Sequence, residues 1–302
     1  MNRLATIALL AVTAVWGSTF FLIKDLLDRV PASDFLALRF AIATVALLVL
    51  APRAWLRLSA QTRRRAVIAG AVYGLAQLLQ TVGLGYTDAS VSGFITGLYV
   101  VATPVIAAGA FGMRIDRRVW GAVALATAGL AILSLRGSAL GYGESITVAG
   151  ALLYAVHIVL LSRWTRAEDA LGMATVQMAT ITVVSTLFAA PGGITLPDRA
   201  GDWWSVLYMA VVAGALAMLA QTWAQAHLDA ARSALVMTME PVFAAAFAVV
   251  LGSESVHARL IVGGLLVVSG MVLAERSGRP IPQPGQSVAA GEHLRHEKCQ
   301  LE

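Results

Sequence analysis

Apolar residues in this chain neither alternate nor form a single stripe. They come in long runs separated by short polar gaps. Ten runs can be marked, at 3–23, 34–51, 65–86, 91–112, 118–135, 145–163, 170–190, 203–226, 232–252 and 258–275. Each holds 18 to 24 residues, and at ~1.5 Å rise per residue such a run extends roughly 27–36 Å, the thickness of a hydrocarbon core. Backbone polar groups in lipid need internal partners, so a spanning segment is either a helix or a strand of a closed barrel. Barrel strands are about ten residues long and alternate polar with apolar. These runs are apolar all round and twice that length. The pattern predicts an all-α membrane protein with ten transmembrane helices.

Composition agrees. Of 302 residues 58% are hydrophobic and 13% charged, against about 45–50% and about 25% in soluble domains. The net charge of +5 changes the picture only through its placement. With the N-terminus inside, sixteen of the 22 Lys and Arg fall in cytoplasmic segments, and Lys24, Arg29, Arg39, Arg136, Arg199 and Arg259 fall outside. This bias puts both termini in the cytoplasm. Arg63-Arg64-Arg65 then reads as a topology signal, and no nucleic-acid partner is expected. The first run resembles a signal peptide but continues past Trp16 to Ile23, long enough to span. The single cysteine, Cys299, permits no internal disulfide, and no Cys/His cluster is present, so neither metal nor cofactor is expected. From 277 to 302 the chain is Pro/Gly/Gln-rich and then charged. It reads as a disordered cytoplasmic tail, and its final Leu301-Glu302 is compatible with a tag remnant.

An offset of 141 residues relates the two halves. It carries Ala14-Val15-Trp16 onto Ala155-Val156-His157, Gln80-Thr81 onto Gln221-Thr222, Asp88-Ala89 onto Asp229-Ala230, and Gly129 onto Gly270. Pro104 and Pro241 differ by 137, about one turn out of step. Two five-helix units are expected, at 1–137 and 138–276. Five is odd, so the second unit enters the membrane from the opposite side. Such inverted-topology repeats place a solute site near the midplane between the halves.

Several motifs are recognisable along these runs: Trp16-Gly17-Ser18-Thr19-Phe20 with Lys24, Arg39-Phe40, Gly83-Leu84-Gly85-Tyr86-Thr87-Asp88-Ala89-Ser90, Glu240-Pro241-Val242-Phe243, Leu251-Gly252-Ser253-Glu254, and the glycines from Gly263 to Gly270. Over residues 5–275 the chain resembles the EamA branch of the drug/metabolite transporter superfamily. Within it, the chain looks most like bacterial exporters of amino acids, of the aromatic amino acid/paraquat type. Met113-Arg114-Ile115-Asp116 stands where the first half of the family pattern has Gly-Glu. The resemblance implies a ten-helix inverted-repeat carrier of small organic metabolites, multi-pass in the bacterial inner (plasma) membrane.

The polar residues inside the runs are the candidate site. Gln77, Gln80 and Thr81 share one helix face, and amides are costly in hydrocarbon unless paired. They fit either the polar groups of a zwitterion or an interhelical clamp. Tyr99 lies near Thr96 and Thr103-Pro104, where proline frees a carbonyl. Tyr154 and His157 are one turn apart, and Trp16 is the repeat partner of His157. All three are expected to face a central space. Glu240, ahead of Pro241, is either a proton-coupling acid or an acid bonded to freed backbone groups. Lys24 and Arg39 read as cations snorkelling to the interface, with a gating or carboxylate-attracting role as the lesser alternative. Asp88 and Asp229 read as helix N-caps. Gly70/Gly74 and Gly93/Gly97 read as close-packing pairs.

The expected function is a secondary transporter that exports small zwitterionic metabolites, amino acids first, by alternating access. Trp16, Tyr99, Tyr154 and Met237 would wall the side chain, with Gln77, Gln80 and His157 at the polar end. The partners are a small-molecule substrate and the bilayer. A proton is a candidate coupling ion, and a monomer suffices. One alternative is a proton-coupled exporter of organic cations using Glu240. Another is an intramembrane enzyme or a non-transporting scaffold, against which no catalytic signature appears.

Overall fold

The computed structural model describes residues 2–87, 89–112, 115–134, 141–250 and 258–276. The readings placed on Asp88, on 113–114, on Glu254 and on the tail from 277 lie outside them. Among the described residues all regular structure is helical, with no strand. That is the outcome expected of backbone that must satisfy its own hydrogen bonds in lipid.

The helices follow the apolar runs. The first run becomes α1 (Asn2–Gly17) and α2 (Phe20–Leu27), and the next two become α3 (Ala32–Leu50) and α4 (Ala60–Tyr86). The fourth is divided into α5 (Ala89–Gly97) and α6 (Tyr99–Phe111), and the fifth is α7 (Arg117–Ser134). The second half continues with α8 (Tyr142–Trp164), α9 (Ala170–Ala189), α10 (Ala200–Ala210), α11 (Ala217–Gln225), α12 (Ala230–Met237), α13 (Met239–Val250) and α14 (Ala258–Arg276). Six segments are long and apolar enough to cross a membrane: Arg3–Leu27, Ala32–Leu50, Ala60–Tyr86, Tyr142–Trp164, Ala167–Gly192 and Ala200–Gln225. Ile95–Phe111 and Ile261–Gly270 are shorter apolar helices.

Polarity is inverted relative to a water-soluble protein. Val49 is 78% exposed and Leu187 68% exposed, while Gln177, Gln221, Gln225 and His157 are wholly buried. Apolar side chains on the outer surface suit lipid, and the interior amides need partners there. Exposed aromatics gather at helix ends, including Tyr86 against Tyr142 (ring centroids 5.3 Å) and Trp204 at the start of α10. Trp164, ending α8, lies under the Arg65 guanidinium at 5.8 Å. Aromatic and basic residues at these levels match a membrane–water interface.

The principal packings are α4 along α8, α7 along α14, α3 along α9 and α4 along α9. Gly70 sets the last of these: a Cβ there would lie 2.9 Å from the Gln177 Cα. Only the absence of a side chain lets the two backbones approach so closely. Gly93 is different, since its nearest neighbour is the Phe20 ring at 3.8 Å. Asp229 caps α12 as expected, accepting from the Arg232 N–H at 2.9 Å.

Candidate functional site

Four of the helical paths are interrupted; the first, second and fourth interruptions border one cavity, and the third reaches it through Arg39 and Trp16. The first lies between α1 and α2, where Ser18 Oγ and Thr19 Oγ1 donate back to the Val15 and Trp16 carbonyls at 2.6 and 2.8 Å. The second is at Leu98, between α5 and α6, with Pro104 inside α6. The third is a π-helical stretch, Val211–Leu216, between α10 and α11. The fourth is at Thr238, between α12 and α13, whose hydroxyl donates to the Leu235 carbonyl. Pro241 has no N–H for the Met237 carbonyl one turn earlier. Irregular backbone at such depth is tolerated where it is buried in protein or lines a cavity.

The walls of the cavity include Trp16, Gln77, Gln80, Tyr154, His157 and Glu240. Tyr99 and Met237 also line it, as do Tyr73, Arg39 and Gln221, whereas Thr81, on the same face as Gln77, is not among its lining residues.

The wall is hydrogen-bonded in two groups. In one, Tyr154 OH donates to Gln80 Oε1 at 2.7 Å, and Gln80 Nε2 donates to Thr96 Oγ1 at 3.0 Å. Gln77 Nε2 donates to Tyr73 OH at 3.1 Å. The Tyr73 ring meets Tyr154 edge-on at 5.4 Å and tilts against His157 at 4.7 Å. In the other, His157 Nε2 and Gln177 Oε1 are 2.9 Å apart, and Gln177 Nε2 donates to Thr222 Oγ1 at 3.4 Å. Gln221 and Gln225 turn their amide nitrogens toward Met237 Sδ at 4.0 and 3.7 Å. Their carbonyl oxygens, Tyr99 OH and His157 Nδ1 are buried without a hydrogen-bond partner.

Two charged groups stand in this wall. Arg39, on α3, is only 4% exposed. Its Nε donates to the Met209 carbonyl at 3.0 Å, and Nη2 to the Ala213 carbonyl at 3.4 Å. Trp16 Nε1 shares the Ala213 carbonyl at 2.9 Å. Ala213 lies in the π-helical stretch, and Met209 in the last turn of α10 just before it. The guanidinium also lies 5.1 Å from the Phe40 ring centroid and 5.8 Å from that of Phe35. Glu240, 9% exposed, has no hydrogen bond or ion pair among the described residues. The expected bond to freed backbone near Pro241 is not made.

The snorkelling expected of the two cations is corrected at Arg39. Arg39 does not reach an interface, because the carbonyls that partner it lie inside the bundle. Lys24 Nζ donates to the Leu84 and Thr87 carbonyls at 2.8 and 3.0 Å, where it serves the open C-terminal end of α4. Tyr73 was the residue least marked in the sequence. Its only signal was a place one turn before Gln77 on the same face.

A family model described as EamA-like transporter family matches residues 3–135 and, separately, 141–275. An uncharacterized transporter of Archaeoglobus fulgidus is 28% identical over 269 residues, covering 89% of this chain and 85% of that protein. A crystal structure of a protein aligns with a TM-score of 0.74 at 18% identity, covering 93% of this chain and 99% of the other. That likeness concerns the fold alone.

Proposed function

The chain belongs to the EamA-like transporter family, and on that premise we propose that it exports small zwitterionic metabolites, amino acids first, by alternating access. In this reading ten helices cross a bacterial inner membrane, both termini are cytoplasmic, and 1–137 and 138–276 form antiparallel five-helix units. The supporting observation is a polar and aromatic cavity at which interrupted helices of both units meet. Trp16, Tyr99, Tyr154 and Met237 wall a side chain. Gln77, Gln80 and His157 serve the polar end.

Symmetry within the wall supports the inverted repeat. Gln80 contacts Thr96, sixteen residues on, and Gln221 contacts Met237, also sixteen residues on. The two contacts are related by the 141-residue offset. Helix packings repeat in the same sense. The pair α4 on α8 has its counterpart in α1 on α11, α6 on α8 has its counterpart in α1 on α13, and α3·α9 and α7·α14 map onto themselves. Two equivalent sides around one site are what alternating access requires.

Counterflow of labelled amino acids into proteoliposomes loaded with unlabelled substrate tests the proposal. Uptake that depends on the protein and saturates is expected. Absence of flux for every amino acid ends it. A second reading, export of organic cations, is favoured by Glu240 among tyrosine rings. It is opposed by Arg39, a cation in the same wall. Competition by an organic cation that Glu240→Gln abolishes would support this second reading.

A further inference from the structure

Arg39 and Glu240 line one cavity, and among the described residues neither has a partner of opposite charge. Arg39 keeps its charge in any environment. Its two described hydrogen bonds run to neutral carbonyls through Nε and Nη2, leaving Nη1 without a hydrogen bond to any described residue. Glu240 receives no donor, and the two groups do not pair with each other. Tyr73 and Tyr154 stand within electrostatic reach of both. A purely anionic solute would satisfy Arg39 and leave Glu240 to take up a proton, as an unpaired carboxyl in low dielectric does. A purely cationic solute would pair Glu240 and leave Arg39 on its two carbonyls. A molecule carrying both signs pairs both groups at once.

Resting on the amino-acid reading above, we propose that Arg39 is the carboxylate anchor of the cavity and that Glu240 receives the ammonium group. The geometry around Arg39 suits the task. The Met209 and Ala213 carbonyls and the Phe35 and Phe40 rings hold the planar guanidinium in place before any solute arrives, at a position that lines the cavity. A fixed fork matches a carboxylate better than a flexible ammonium does. The π-helical stretch is then a device for holding a cation at the centre of the bundle. Selectivity for zwitterions resides in two groups on α3 and α13, one from each half of the chain.

The test uses matched probes: L-phenylalanine, phenethylamine, which lacks the carboxylate, and 3-phenylpropionate, which lacks the amine. A second set is built in the same way on leucine. Each probe competes in counterflow by the full-length wild type, Arg39→Gln, Arg39→Lys and Glu240→Gln, and binding is followed in parallel by thermal shift. The wild type is expected to prefer the amino acid over the amine by about 10- to 100-fold, the worth of one charge-assisted hydrogen bond. Arg39→Gln is expected to erase that preference and Arg39→Lys to restore part of it. Glu240→Gln is expected to erase the preference over the carboxylate probe instead. Should Arg39→Gln fail to fold, the wild-type series decides alone, because equal competition by amine and amino acid overturns the anchor. Amino-acid flux whose selectivity survives in Arg39→Gln also overturns the anchor and leaves the transporter reading intact. Arg39-dependent competition by 3-phenylpropionate without flux of phenylalanine keeps the anchor and removes the amino-acid reading. No interaction with either probe set overturns both.

Discussion

At the scale of the residue, the division is between groups that serve the fold and groups that face the cavity. His157 does both. Its Nε2 is held by Gln177, which also reaches Thr222, and all three are wholly buried. Gln177→Leu would leave the imidazole Nε2 without its hydrogen-bond partner and strand the Thr222 hydroxyl. We expect a stability loss of about 1–3 kcal/mol, the cost of a buried group left unpaired, seen as a lower melting midpoint in detergent. A variant that melts like the wild type but no longer carries solute would instead assign His157 to the solute. The glutamines of α4 were legible because an amide in a greasy run has few reasons to be there, and the spacing of Gln77 and Gln80 shares a face. Arg39 was not. A cation five residues inside an apolar run reads as snorkelling, and the carbonyls that hold it, Met209 at the end of α10 and Ala213 in the π-helical stretch, lie 170 and 174 residues away. Nothing in Val211–Leu216, which is apolar apart from its backbone, announces that the turn widens there.

At the scale of the element, the apolar runs fall on helices to within a few residues, and six of the described helical segments are long and apolar enough to cross a membrane. Their interruptions were less visible. Pro104 and Pro241 marked two of them, although the breaks fall ahead of the prolines, at Leu98 and Thr238. Packing glycines were only partly distinguishable, since spacing alone does not show which helix arrives. Gly70 faces the α9 backbone, whereas Gly85 has nothing near it. Gly70→Leu should therefore force α4 and α9 apart and lower stability by about 1–3 kcal/mol, the typical penalty of overpacking. Gly85→Leu, on the same helix, should be close to neutral. Thermal melts of the two variants side by side check this. Equal melting would mean that the α4·α9 approach is looser than its geometry implies.

At the scale of the whole molecule, the argument turns on parity. A unit of five crossings returns the chain to the opposite side of the membrane, and only then do two copies of one unit run antiparallel and share a midplane cavity. The sequence-level support is a single offset; the structural support is that contacts at Gln80–Thr96 and Gln221–Met237 obey it. Cysteine labelling of intact cells with a membrane-impermeant maleimide measures the parity directly. The native Cys299 provides one probe, and Asn2→Cys and Ser138→Cys in a Cys299→Ser background provide two more. Ten crossings with a cytoplasmic start predict that positions 2 and 299 react only after lysis, while position 138, between the halves, reacts in intact cells. Termini found in opposite compartments would give an odd number of crossings. Position 138 found on the same side as both termini would give each half an even number. In that case the two halves run parallel, the equivalence of the two glutamine contacts loses its meaning, and alternating access would need another structural basis.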